Sequence, residues 1–318
     1  MKIGLIDVDG HNYPNLAIMK ISAYHKSKGD AVEWYDVFSG MVEEYDKVYM
    51  SKVFSFTPNY DLPIYAKEIE QGGTGYCIET IDGKEQFDKS KHKNLPDEIE
   101  HIYPDYSLYP KMTKDTAYGF LTRGCPRGCD FCIVKDKEGL CSNKVADLSE
   151  FWRGQKNIEL LDPNILACKD WKDLFQQIID SKANVNFNQG LDIRFMTEEK
   201  AIMLSQIRIK GIHFAWDRYE DREMIEPKFL EFRKHSRIRS HDLQVYCLIG
   251  DKEKKVRKED LYRIYWLRDN GFAPYIMIYD KYDLPRNHEL KKLQRYVNSR
   301  QIFWSISDFE EYQKGGVE

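Results

Sequence analysis

Three cysteines, Cys125, Cys129 and Cys132, fall in "LTRGCPRGCDFC" with the spacing C-x3-C-x2-C. Thiolates are soft ligands, suited to zinc or to iron–sulfur clusters. A closed structural zinc site takes four ligands, commonly from two C-x2-C pairs, and one such pair is present here. Electron-transfer clusters also take four cysteines. Three thiols leave one metal position open, as catalytic sites do; a zinc knuckle completed by Cys141 is the alternative. Gly124 and Gly128 suit a loop whose backbone curls closely around such a group.

The elements that must position this loop read as alternating strands and helices. "AYGFL" is a strand leading into the cysteines, and "NIELL", "VNFN", "GIHFAW", "LQVYCLIG" and "PYIMIY" are five more. Between them run helices such as "DWKDLFQQIIDS", where Trp171, Leu174, Phe175, Ile178 and Ile179 share one face. Asp170 and Thr197 are candidate caps, Gly271 a stop signal, and "HELKKLQRYVN" a closing helix. Six such units predict a partial (βα)6 TIM-type barrel over residues 113–318, with its chemistry at the C-terminal ends of the strands. Residues 1–85 read as a Rossmann-like lobe with strands at "KIGLIDV", "AVEWYDV" and "KVYMSKVF", and a helix over "IYAKEIEQ". Residues 86–112 read as a polar linker.

The spacing C-x3-C-x2-C after a first barrel strand, with the aromatic Phe131 before the last cysteine, resembles the radical S-adenosylmethionine (SAM) superfamily. The resemblance covers about residues 113 to 300. It implies a 4Fe–4S cluster on Cys125, Cys129 and Cys132, with SAM chelated to the fourth iron and reductively cleaved to start hydrogen abstraction. It also implies a flavodoxin- or ferredoxin-type electron donor. The superfamily places a glycine-rich element after its second strand for the SAM amino group; here "ELLDPNI" lacks the glycines and offers Asp162 and Asn164, in what is also a good turn. "NFNQGLDIRFMT" resembles the segment that meets the SAM ribose and carboxylate, so Gln189, Asp192 and Arg194 are its candidates; an Asp–Arg pair tying the strand end together is the other reading. Ile249 and Gly250 in "YCLIGD" correspond to backbone lining the adenine pocket, while Cys247 reads as buried and inert.

For substrate, the strand ends offer Trp216, Asp217, Tyr279 and Asp280, an aromatic and acidic set suited to a flat, hydrogen-bonding heterocycle; core packing of Trp216 beside a surface Asp217, with Tyr279 also packed, is the other reading. In the N-terminal lobe, "DGHNYP" places Asp9 and His11 as in the D-x-H-x-x-G loop of cobalamin lobes, but Pro14 replaces the glycine. The lobe is therefore read as a degenerate cobalamin-type lobe that holds no cobalamin, with Asp9 and His11 either facing substrate or serving as ordinary loop caps. Among compact superfamily members with such a lobe, the whole chain is similar to queuine lyases. That implies C–N cleavage of queuine to 7-aminomethyl-7-deazaguanine in queuosine salvage. A cobalamin-type methylase or a methylthiotransferase-like enzyme is the alternative, although only Cys77 lies in the lobe where a second cluster would need three cysteines. A metal-bound binding module is the non-enzyme alternative.

Composition narrows the setting. The 318 residues carry a net charge of −4 with 42% hydrophobic, 31% charged and 14% aromatic content. No global positive field favours nucleic acid or anionic membranes, and the run Arg233, Lys234, Arg237 and Arg239 reads as a solvated face. No apolar stretch is long enough to span a bilayer. Seven cysteines, four of them scattered singly, suit a reducing cytoplasm. A small-molecule substrate, no membrane, no nucleic acid and a possible homodimer are the expected associations.

Overall fold

The fold is known from a computed structural model that describes residues 1–81, 84–129, 132–279, 281 and 284–315. Two compact units divide it, Met1–Glu159 and Leu160–Glu318.

The first unit opens with β1 (Lys2–Asp7), α1 (Leu16–Ser27), β2 (Ala31–Trp34), α2 (Val37–Val42), β3 (Tyr45–Ser51) and β4 (Ala66–Gly72). The strands pair in parallel in the order β2-β1-β3-β4, the chain crossing from one side of β1 to the other between β2 and β3. Ile3 and Leu5 of β1 pack with Ile18 and Ile21 of α1, while Ile6 packs with Tyr45, Val48 and Met50 on the opposite face. Asn15 starts α1 by accepting from Ile18 N and donates Nδ2 to Ser51 Oγ at 2.9 Å, tying the helix to the end of β3.

The helix expected over 64–71 is instead the edge strand β4. Its Ala, Lys and Glu residues are good helix formers, but pairing with β3 overrides that preference. Lys47 of β3 meets Glu68 at 2.8 Å and Glu70 at 2.7 Å, and charged side chains guard the exposed edge. After the hairpin β5 (Ile78–Ile81) and β6 (Lys84–Phe87) come the short helices α3 (Asp97–Glu100) and α4 (Pro110–Thr113). The segment read as a linker places Ile99 in the core with Ile3 and Leu5, and Asp105 accepts from Ser22 Oγ and Lys26 Nζ of α1, each at 2.6 Å. Next follow β7 (Thr116–Gly119), β8 (Thr122–Arg123), α5 (Val134–Lys137), β9 (Asn143–Lys144) and β10 (Asn157–Leu160). Within this unit β10 lies beside β7.

The second unit starts at the last residue of β10 and runs α6 (Trp171–Ser181), β11 (Asn184–Phe187), α7 (Glu198–Gln206), β12 (Arg208–Ala215), α8 (Arg222–His235), β13 (Leu243–Ile249), α9 (Lys258–Asp269), β14 (Ala273–Ile278) and α10 (Glu289–Asn298). Strands β11 to β14 pair in parallel in chain order, as expected of repeated βα units. Leu174, Phe175 and Ile178 of α6 are buried, each worth about 1.5–3 kcal/mol. Thr197 caps α7 through Lys200 N, and Gly271, at φ +82°, follows α9. Strand burial alternates strictly along β13. On the neighbouring β12 the buried side chains face the helices: Phe214 meets Phe229 and Phe232, and Trp216, just past the strand, meets Trp266. Among the described residues, no helix is long and apolar enough to cross a membrane.

Candidate functional site

In the first unit, β8 and β9 form the antiparallel base of the cysteine loop. Gly124 sits at φ +85°, and a Cβ there would lie 2.1 Å from Cys141 O, so the chain passes at a distance only glycine allows. Cys125 N donates to Gly139 O at 3.2 Å, and Cys132 N to Cys129 O at 3.1 Å. Glu138 clamps the base, accepting from Gly124 N at 3.0 Å and from Arg123 Nη1 at 3.1 Å. Cys125, Cys129 and Cys132 are all half-buried, whereas Cys141 is exposed. Burial pushes the Cys132 thiol up, Cys125 adds to that, and Arg127 opposes it. Phe131 lies outside the described residues.

The loop after β1 holds the other motif. Asp9 accepts from Val53 N at 2.5 Å, Phe54 N at 3.3 Å and Thr57 Oγ1 at 2.6 Å, which makes it a tie to the loop after β3. The His11 ring stacks on Trp34 at 4.1 Å and meets the edge of Tyr109. Sequence reasoning missed the neighbouring Asp7, whose Oδ2 accepts from Tyr109 Oη at 2.6 Å and whose buried Oδ1 has no partner among the described residues. Burial holds that carboxyl above its ordinary range.

In the second unit, Asp162 and Asn164 follow β10 and are both buried. After β11, Gln189 is exposed. Asp192 is buried and receives Arg194 in a two-pronged pair, Nε to Oδ1 at 2.9 Å and Nη2 to Oδ2 at 2.6 Å. Of the two readings of this segment, the geometry has the internal Asp–Arg pair. Ile249 ends β13 fully buried, and Gly250 follows at φ +75°, against Leu290. Cys247 is buried, its thiol pushed up to about 12.

Of the substrate candidates, Trp216 takes its core-packing reading. Trp216 is fully buried on the helix-facing side, with Nε1 donating to Arg218 O at 2.8 Å, so its ring is core. Asp217 accepts from Leu248 N at 3.3 Å and so bridges the ends of β12 and β13. Strand parity accounts for this, because an even offset from buried Ile212 and Phe214 returns the Trp216 side chain to the same face, whereas Asp217 falls on the opposite one. Tyr279 is half-buried, its carbonyl accepting from Lys254 Nζ at 2.7 Å; Asp280 lies outside the described residues.

The half-exposed face of the same strands was missed. His213 of β12 stacks on Tyr246 of β13 at 5.3 Å and 19°, and Tyr246 meets Tyr275 of β14 at 5.8 Å. Burial lowers the His213 pKa, favouring neutral imidazole. The alternation in "LQVYCLI" carried the signal, since it assigns Gln244 and Tyr246 to the face opposite the helices. Also missed was Arg263, fully buried on α9. It donates to Trp216 O at 2.6 Å, Leu248 O at 2.9 Å and Asp260 at 2.7 Å, holding two strand ends in place.

No family model matches the sequence, and no curated protein matches it either. Its fold resembles that of TsrM, a radical S-adenosylmethionine methyltransferase from Kitasatospora setae, in a structure with cobalamin and a [4Fe-4S] cluster bound. The TM-score is 0.61 at 11% identity, over 87% of this chain and 71% of that one. TsrM with tryptophan substrate and the SAM analogue aza-SAM gives 0.60 at 11% identity, over 86% and 72%. The likeness is one of fold. At this identity it leaves the chemistry to the residues themselves.

Proposed function

We propose that this chain is a radical SAM enzyme that binds a 4Fe–4S cluster at Cys125, Cys129 and Cys132. The observation that carries the reading is the cysteine loop, three half-buried thiols on a turn whose glycine admits no side chain. The donor set fits the group: soft thiolates suit a cluster, and three of them leave one iron open. The fold likeness to a protein with a bound [4Fe-4S] cluster supports it. In this reading residues 113–318 make a partial (βα)6 barrel. When bound, the cluster supplies the electron that splits SAM into methionine and a 5′-deoxyadenosyl radical.

The chain's own residues bind and orient. Asp162 and Asn164 take the SAM amino group, Gln189 the ribose, and the backbone of Ile249 and Gly250 the adenine, while the Asp192–Arg194 pair holds the strand end that presents them. His213, Tyr246 and Tyr275 offer stacking and a neutral imidazole to a flat substrate. Within the class we assign the reaction as C–N cleavage of queuine to 7-aminomethyl-7-deazaguanine, with a flavodoxin- or ferredoxin-type donor.

A cobalamin-type methylase is the second reading, favoured because the TsrM likeness spans 87% of this chain and that structure holds cobalamin. The residues here do not fit a cobalt ligand: His11 lies flat on Trp34, and Pro14 stands where the motif has glycine. The test is anaerobic turnover with SAM, dithionite and queuine, followed by mass spectrometry. Queuine-dependent 5′-deoxyadenosine together with 7-aminomethyl-7-deazaguanine supports the assignment. 5′-Deoxyadenosine with queuine intact removes the substrate and keeps the class.

A further inference from the structure

A lysine side chain is seldom buried without a counter-charge. Lys52, directly after β3, is 6% exposed. Its ammonium donates to Asn59 Oδ1 at 2.9 Å and lies 5.6 Å from the centre of the Tyr76 ring. Both partners are neutral. Among the described residues no carboxylate pairs with it, although three line the same cavity. Glu68 and Glu70 are held by Lys47, and Glu79 by Lys91. The nearby Asp9 is held by backbone N–H groups.

The cavity has a volume of about 910 Å³ and is lined by Lys52, Ser55, Asn59, Tyr76 and Lys93 beside those carboxylates. This crevice runs along β4 and past the C-terminal end of β3. The Tyr76 hydroxyl is buried with no partner among the described residues. The turn after β4 presses onto Lys52: a Cβ on Gly73 would lie 2.3 Å from Lys52 O, and one on Gly75 2.7 Å from Lys52 Cγ. Lys52 N donates to Gly72 O and Gly75 N to Lys52 O, so backbone bonds on both sides fix the lysine in the crevice.

We propose that this crevice binds the phosphate group of a small molecule, with Lys52 Nζ as its charge partner and Tyr76 Oη as a hydrogen-bond donor. A dianionic oxyanion supplies the missing counter-charge and an acceptor for the orphan hydroxyl, and the remaining volume takes the rest of the ligand. The site lies within the first unit and needs neither cluster nor SAM, so it stands or falls separately from the reading above.

The test is titration of the full chain with inorganic phosphate and with adenosine 5′-monophosphate, against potassium chloride of equal ionic strength, read by calorimetry and by the thermal midpoint. Both phosphates are expected to bind and to raise the midpoint by several degrees. Tighter binding of the nucleotide identifies a phosphorylated metabolite, and equal binding identifies free phosphate. Lys52→Met is expected to weaken binding at least tenfold while melting no lower than wild type without phosphate. Lys52→Arg is expected to stay within a few-fold of wild type, and Tyr76→Phe to weaken binding several-fold without loss of fold, which keeps a readout if the methionine variant does not fold. Phosphate with no effect beyond chloride, or unchanged affinity in Lys52→Met or Tyr76→Phe, overturns the proposal.

Discussion

Two loops of the first unit carry recognisable motifs, and the structure treats them differently. In the loop after β8, the shape comes from the backbone and from Glu138: Gly124 permits the close pass to Cys141 O, and main-chain bonds close the turn. In the loop after β1, the motif side chains themselves make the structure. Asp9 binds two backbone N–H groups and a hydroxyl, and His11 packs on Trp34. Spacing alone makes both loops look like cofactor sites. The first is shaped by its backbone and by Glu138, and the second serves as a strut.

The comparison is broken most directly by substitution of the cysteines. Cys125→Ala, Cys129→Ala and Cys132→Ala are each expected to reduce 5′-deoxyadenosine formation to background with circular dichroism unchanged, whereas His11→Ala is expected to retain both iron and activity. Loss of iron in His11→Ala would move the second loop into the same class as the first.

The glycines sharpen it next. Gly124→Ala forces a Cβ into Cys141 O, and the close pass must open; a loss of roughly 3 kcal/mol or more in urea unfolding is expected, with iron incorporation falling several-fold. Gly10, at φ +80°, has nothing within 4 Å of an added Cβ. Gly10→Ala is therefore expected to lose only about 1 kcal/mol, from backbone strain alone. Equal effects would mean that close approach does not distinguish the loops.

Asp9→Ala is expected to lose about 1–3 kcal/mol by leaving donors after β3 unpaired, with no change in iron content. The smallest effect concerns pH. His213 has a folded pKa below its ordinary 6.5 because burial disfavours the charged ring. Its neutral form is stable above 6.5, and stability is lost as pH falls from 6.5 through the folded value. His213→Gln is expected to show a shallower decline of unfolding free energy across that acid window and no difference near pH 8.

What was legible in the sequence were features set by local pattern. Alternation in "LQVYCLI" gives β13, the stripe of Leu174, Phe175 and Ile178 gives α6, and the cysteine spacing marks the loop. What was not legible depends on partners distant in the chain. "AKEIEQG" carries helix-forming residues, and only pairing with β3, where Lys47 meets Glu68 and Glu70, makes it an edge strand. Trp216 sits at a strand end, where site residues are sought, yet it lies on the covered side of the sheet. Asp7 and Lys52 stand out only once Tyr109, Asn59 and Tyr76 are folded against them.

The most direct test of the central claim is the metal and product content of the wild-type chain after anaerobic reconstitution with iron and sulfide. With dithionite and SAM, about four irons per chain and formation of 5′-deoxyadenosine are expected, with both lost in Cys132→Ala. A single tightly held zinc or iron with no 5′-deoxyadenosine, or full activity in Cys132→Ala, would contradict the account.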